Sequence, residues 1–240
     1  MWTNRFAAPP CEANIELTMK KFDDLLKIAA EKKGGVAEVE KLLPEVKTSA
    51  QVAAVPDDRI LAEMTRGIFQ SGFAWKVIEA KWDGFEKAFK GFVPGKVTAF
   101  SDEDLEKLVQ NKEIVRNGAK IRATRDNAAF VAALAKEHGS AARFIADWPS
   151  DNIVGLWEVM KKRGNRLGGV TGPYVLRRIG KDTPVASQHV VAALVREGVV
   201  AKAVSSKRDQ AKMQDAFNAW AAQSDRPLAH ISRILAMTVD

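Results

Sequence analysis

The sequence predicts an all-α protein. Across almost all of the 240 residues, apolar side chains recur at helical spacing, while the period-two alternation of β-branched residues that marks a strand does not occur. Helix punctuation is also frequent: Ser, Asp and Asn stand before apolar-periodic stretches, and Gly and Pro follow them. The chain is long enough to bury a full core. It contains no repeat of fixed period and no low-complexity linker, so residues 1–240 are expected to form one compact helical domain.

Taken in order, residues 17–30 read as an amphipathic helix carrying Leu17, Leu25, Leu26 and Ile28 on or near one face, ended by Gly34 and Gly35. A short helix over 36–43 stops at Pro44. Asp57 and Asp58 supply an N-cap and negative charge for a helix through Ile60, Leu61, Met64 and Ile68 that ends near Gly72. Residues 75–89 form the next helix, and Ser101 with Asp104 makes a capping pattern for 101–109. The longest helical stretch is 116–138, followed by 140–148. Helices over 152–163 and 170–179 flank a glycine-rich corner, and 187–196, 208–222 and 228–237 complete the set.

Composition narrows the class. Hydrophobic residues make up 46% and charged residues 28%, as in ordinary globular proteins. Cys11 is the only cysteine, which excludes an internal disulfide framework and fits a reducing compartment. Residues 1–14 lack a basic flank followed by an apolar run, and no apolar stretch approaches the ~18 residues needed to cross a bilayer. A cytoplasmic, soluble protein with no membrane partner is the expectation.

The net charge of +7 is unevenly placed. Residues 1–150 carry 23 Lys and Arg against 22 Asp and Glu, whereas residues 151–240 carry 14 against 8. Seven bases (Lys161, Lys162, Arg163, Arg166, Arg177, Arg178 and Lys181) fall between 161 and 181 with no acid among them. Such a run fits a polyanion partner or a solvated basic face. Within it, a helix ends in three bases, a short turn comes next, and Gly168 and Gly169 lead into the next helix near Thr171. Free N–H groups at a helix start, with the helix dipole and close backbone approach at glycine, favour an anion such as a phosphate. An ordinary helix corner with a glycine cap fits the same residues.

Several motifs follow one another in order: the run Val55 to Met64; Gln70-Ser71-Gly72-Phe73-Ala74-Trp75; Phe85-Glu86-Lys87-Ala88-Phe89; Ile114 to Ile121; Asn127-Ala128; Met160 to Gly164; and Ser187 to Val191. In order and approximate spacing they resemble the bacterial type I 3-methyladenine DNA glycosylases of the helix-hairpin-helix superfamily. The resemblance covers about residues 55–193, leaving 1–54 and 194–240 as extra helices at either end of the domain. It implies a helix-hairpin-helix fold that binds duplex DNA containing damaged bases, with the corner at 161–172 as the DNA-binding hairpin. Lys162, Arg163, Arg166, Gly168, Gly169 and Thr171 are the candidate DNA contacts. It further implies a monomeric hydrolase that flips an alkylated purine such as 3-methyladenine, stacks it on Trp75 with Phe69 nearby, and cleaves its N-glycosidic bond without a cofactor. For Trp75 the alternative is core packing.

The sequence departs from that pattern in three places. The family's pocket carboxylate falls in Thr65-Arg66-Gly67-Ile68-Phe69, which holds no acid. Glu63, one turn earlier, is the remaining candidate for a catalytic carboxylate, and a solvated or ion-paired helix glutamate is its alternative reading. The family's zinc ligands are also incomplete: His189 matches one, but Ala193 stands where a cysteine is expected, so no metal is predicted. The pocket tyrosines are missing as well; Tyr174, just after the hairpin, is the only tyrosine. Ser187, where the wider superfamily often has a catalytic aspartate, reads as a helix N-cap. These departures leave open a catalytically impaired protein that only binds DNA or recognises lesions, and an RNA-binding or protein-interaction helical domain.

Overall fold

The computed structural model describes residues 19–239, and every regular element among them is helical. The helices are α1 (Phe22–Lys33), α2 (Val36–Glu40), α3 (Ser49–Ala53), α4 (Asp57–Gln70), α5 (Trp75–Ala80), α6 (Trp82–Ala88), α7 (Pro94–Thr98), α8 (Asp102–Gln110) and α9 (Gly118–His138). They continue as α10 (Ala141–Asp147), α11 (Ile153–Arg163), α12 (Thr171–Ile179), α13 (Gln188–Arg196), α14 (Lys207–Ser224) and α15 (Leu228–Met237). Leu17 and Cys11 lie outside the described residues. No helix among those described is long and apolar enough to cross a membrane.

Local signals set most boundaries. Gly34 ends α1 in the left-handed region at φ 89°, with its N–H on the Ala30 carbonyl. Ser101 and Asp104 cap α8 reciprocally, Ser140 caps α10, and the Ser187 hydroxyl accepts from the Val190 N–H. Two expectations need correction. Asp57 does not cap α4, whose N-cap is Pro56; its carboxylate accepts from the N–H groups of Ala141 and Ala142, at 2.9 and 3.3 Å, and so caps α10. The helix expected over 75–89 breaks at Lys81 into α5 and α6. Gly84 of α6 lies so close to the Glu113 carbonyl that a Cβ there would sit 2.4 Å from it, so α6 turns to pack under that loop.

α4 lies between α9 and α12, and α9 also packs on α7, α8 and α10. Under α4 sits an aromatic cluster of Phe69, Phe85, Phe89 and Phe92, with Trp82 stacked on Phe85 and Phe92. α1 packs on α14 and α15, α15 on α13, and α14 on α11, so both ends of the chain contribute to one continuous buried cluster that includes Phe22, Trp220 and Leu235. The fully buried Trp220 also donates its indole N–H to the Lys20 carbonyl at 3.0 Å.

Trp220→Ala is expected to lower unfolding stability by about 3–5 kcal/mol. Chemical denaturation should still give one cooperative transition; two separate transitions would assign the terminal helices to an independent unit.

Candidate functional site

The hairpin between α11 and α12 is built around a buried amide. Asn127, fully buried on α9, donates to the Asn165 carbonyl at 2.9 Å and accepts from the Asn165 N–H at 2.8 Å. Leu167 points into the core, while Arg166 and Gly169 adopt positive φ of 59° and 61°. The turn closes with the Gly172 N–H on the Leu167 carbonyl at 3.1 Å; a Cβ at Gly172 would lie 2.6 Å from that same oxygen. The N–H groups of Gly168, Gly169 and Val170 donate to no protein acceptor among the described residues. They lie immediately before the nine-residue α12, a place suited to an anion.

The acid-free basic run divides in two. Lys161, Lys162, Arg163 and Arg166 are exposed around the turn. Lys162 and Lys207 share Glu158 at 2.9 and 2.6 Å, and these hydrogen bonds pull the Glu158 carboxyl down to about 2. Arg163 forks onto Glu137 at 2.9 and 2.6 Å, leaving Lys161 and Arg166 without ion pairs among the described residues. The other three bases of the run turn inward. Arg177 donates to the Thr183 carbonyl and burial lowers it to about 10. Lys181 is buried on the carbonyls of Ala146 and Trp148, and burial lowers its pKa too. Arg178 enters a second site.

That site is a cavity of about 150 Å³ lined by Gly67, Gln70 and Ser71 of the α4 end, Trp75, and Val170, Thr171, Tyr174 and Arg178 of α12 and its approach. It is well below the ~300–1,000 Å³ of pockets that take drug-sized ligands, so it suits a single ring system. Trp75 opens α5 with 54% of its surface exposed, and its indole meets the Tyr174 ring edge-on at 6.1 Å. A larger hollow of about 650 Å³ runs along α1 and the start of α2, but it shares no residue with the hairpin.

Lys120 holds the loop that presents Trp75. Its ammonium caps the end of α4 through the carbonyls of Phe69 and Ser71 and lies 4.6 Å from the Phe73 ring centre. Burial, and to a lesser degree the charge of Arg166, pushes the Lys120 pKa down. On the other side, Arg178 donates Nε to Glu63 at 2.7 Å and Nη1 to Gln70 Oε1 at 3.1 Å. Gln70 passes the chain on to Glu79 at 3.0 Å. Arg66 joins Glu79 and Glu63 and stacks 3.8 Å over Trp82.

Three residues singled out in the sequence are placed otherwise than expected. Glu63 has each carboxylate oxygen on a different guanidinium and does not line the cavity, so it faces no ligand there. Phe69 is fully buried edge-on against Phe85, because the helical step from Gly67 carries it to the core face of α4. Thr171, read as a DNA contact, stands on the cavity wall. Tyr174, Arg178 and Lys120 were missing from the candidate set. The spacing of Thr171, Tyr174 and Arg178 (i, i+3, i+7) is the signal for the first two, since it puts all three on one helix face.

Trp75 and Asn127 fall within a segment that matches a known family. Residues 51–165 match the profile of methyladenine glycosylase. The resemblance drawn from the motifs is confirmed over that segment, which ends inside the hairpin and excludes Tyr174 and Arg178. DNA-3-methyladenine glycosylase 1 of Escherichia coli is 39% identical over 59 residues, 25% of this chain, and the aligned stretch spans 32% of that relative. A solved 3-methyladenine DNA glycosylase I shows 22% identity and a TM-score of 0.48, over 60% of this chain and 87% of that one. The Staphylococcus aureus 3-methyladenine DNA glycosylase I gives 20% and 0.49, over 57% and 80%.

The hairpin geometry makes a contrast between its glycines. Gly172→Ala is expected to cost about 1–3 kcal/mol in denaturant titration, because the new Cβ meets backbone. Gly169→Asn, with nothing within 4 Å of its Cβ, should cost under about 1 kcal/mol, because asparagine tolerates positive φ.

Proposed function

We propose that this protein is a DNA-repair glycosylase that hydrolyses the N-glycosidic bond of an alkylated purine, such as 3-methyladenine, after flipping it from duplex DNA. The observation that carries this reading is the shared use of α12: its start closes the glycine-rich hairpin turn whose free N–H groups suit a phosphate, and its next two turns form the wall of the cavity that Trp75 also lines. A backbone gripped at the hairpin therefore brings an extruded base to an exposed indole. The match of residues 51–165 to the methyladenine glycosylase family supports the same reading. The protein is read as a cytoplasmic monomer acting on damaged double-stranded DNA.

The chemistry demands little of the chain. Alkylation at a ring nitrogen makes the purine cationic, and a cation leaves readily as a neutral base. Stacking on an aromatic face favours delocalised positive charge, and holding the nucleotide extruded lets water reach the sugar carbon. The electron pair of the broken bond returns to the base, water supplies the new hydroxyl, and its proton goes to solvent. A second reading, a lesion-binding protein without hydrolysis, is favoured by one observation: no carboxylate lines the cavity.

Single-turnover incubation with methylated duplex DNA, followed by chromatography, is expected to yield a free alkylpurine. Trp75→Ala should abolish release while keeping most duplex affinity. Binding without any release above the uncatalysed rate would favour the lesion-binding reading.

Duplex affinity should also fall steeply with salt. Lys162→Ala/Arg166→Ala is expected to flatten the log-log slope by roughly one to two units. An unchanged slope would remove the hairpin from the DNA interface.

A further inference from the structure

We infer that Arg178 sets the base preference of the cavity, selecting a 3-alkylguanine over the corresponding 3-alkyladenine. The inference rests on the glycosylase reading and names the substrate class of the same site. Its basis is the hydrogen-bond inventory of the cavity wall. Arg178 has five N–H donors and no acceptor. Three donors are engaged: Nε with Glu63, one on Nη1 with Gln70, and one on Nη2 with the Glu63 carbonyl at 3.4 Å. One hydrogen remains on each terminal nitrogen of a side chain that lines the cavity and keeps 24% of its surface exposed.

The place of that guanidinium is made by Gly67. A Cβ on Gly67 would lie 2.8 Å from Arg178 Nη2 and 2.9 Å from Val175 Cγ2, so Arg178 occupies the space a side chain at 67 would fill. Acceptors are scarce by comparison. The Gln70 amide is used at both ends, by Arg178 and by Glu79, and Glu63 is turned away between two guanidinium groups. The Ser71, Thr171 and Tyr174 hydroxyls serve as either donor or acceptor, so they discriminate neither base. Arg178 and Arg66 are offset by Glu63 and Glu79, so Arg178 meets a cationic base as a fixed donor within a neutral four-residue network.

A purine alkylated at N3 keeps its outer edge. In guanine that edge presents two acceptors, O6 and N7, which match paired guanidinium donors; in adenine it presents N7 and an amine, which sets donor against donor. During cleavage the bond electrons flow onto the departing base, and donors at O6 and N7 stabilise that growth of charge. Water adds its oxygen to the sugar carbon and releases a proton, and the cationic 3-alkylguanine leaves neutral. A 7-alkylguanine keeps O6 alone and belongs between the two.

The test uses the full-length protein and duplex DNA carrying 3-methylguanine, 7-methylguanine and 3-methyladenine, with the release rate of each measured per lesion. The expected order is 3-methylguanine, 7-methylguanine, 3-methyladenine, with the extremes separated on the order of 10- to 100-fold. Arg178→Met should collapse that ratio mainly by slowing 3-methylguanine, and Arg178→Lys, which keeps charge but loses the fork, should restore little of it. An adenine-first order in the unaltered protein, or an unchanged ratio in a folded Arg178→Met, overturns this inference and leaves the glycosylase reading intact. Absence of any release overturns the glycosylase reading instead. In that event calorimetric titration with free 3-methylguanine and 3-methyladenine decides the preference, equal or adenine-favouring affinity counting against it.

Discussion

The functional surface depends on one buried amide. Asn127 satisfies both backbone groups of Asn165 and so fixes the hairpin to α9, the longest helix among the described residues and a packing partner of α4. Leaving either group unpaired in that dry setting would cost about 1–3 kcal/mol, so the turn has little freedom to slide. Everything downstream inherits the constraint. With Asn165 held and Leu167 buried, the direction of α12 is set, and with it the placement of Tyr174 against Trp75 and of Arg178 against Gly67. The hairpin turn and the cavity wall are coupled through one helix.

The four-residue network of Glu63, Arg66, Glu79 and Arg178 explains how the site tolerates charge next to apolar rings. Each carboxylate is shared, each guanidinium is fixed from more than one side, and Arg66 additionally lies flat on Trp82. Partly exposed pairs of this kind contribute modestly to stability. Their effect is geometric: α4, α5 and α12 are tied at the point where the cavity opens, so the wall keeps its shape when no ligand is present.

How far the sequence revealed this depends on the range of each interaction. Ser101, Ser140 and Ser187 were legible as caps because the groups they satisfy lie three residues away. Asp57 was not, because its partners are 84 and 85 residues distant. The hairpin was legible because glycines, bases and a helix start are adjacent in the chain. Which bases face outward was not: charge counting cannot see that Arg177 closes onto the Thr183 carbonyl beyond the end of α12, or that Lys181 reaches the distant Ala146 carbonyl. Trp75 was found through its motif, whereas Phe69, six residues earlier, belongs to the core because periodicity in α4 turns it there. Arg178 was counted as part of a basic face although its spacing from Thr171 and Tyr174 already placed it beside them.

The C-terminal helices take part in the same logic. Among the described residues no group of metal-ligating side chains occurs, and Cys11 lies outside them. At the position where the resemblance implies a zinc-binding cysteine, Ala193 is fully buried on α13, the helix that packs on α15; His189 is exposed. α15 is tied back to the exit of α12 twice: Asp182 accepts from the N–H groups of Leu228 and Ala229 at 3.1 and 2.8 Å, and the Ser232 hydroxyl accepts from the Val185 N–H at 3.0 Å. Lys181, next in line, fastens the same segment to the end of α10. Both ends of α12, the helix that walls the cavity, are thereby fixed. The hairpin fixes the start of α12, and the packing of α15 on α13 fixes the segment that leaves its C-terminal end. Apolar burial between α13 and α15, together with these hydrogen bonds, thus closes the end of the fold that α12 leaves.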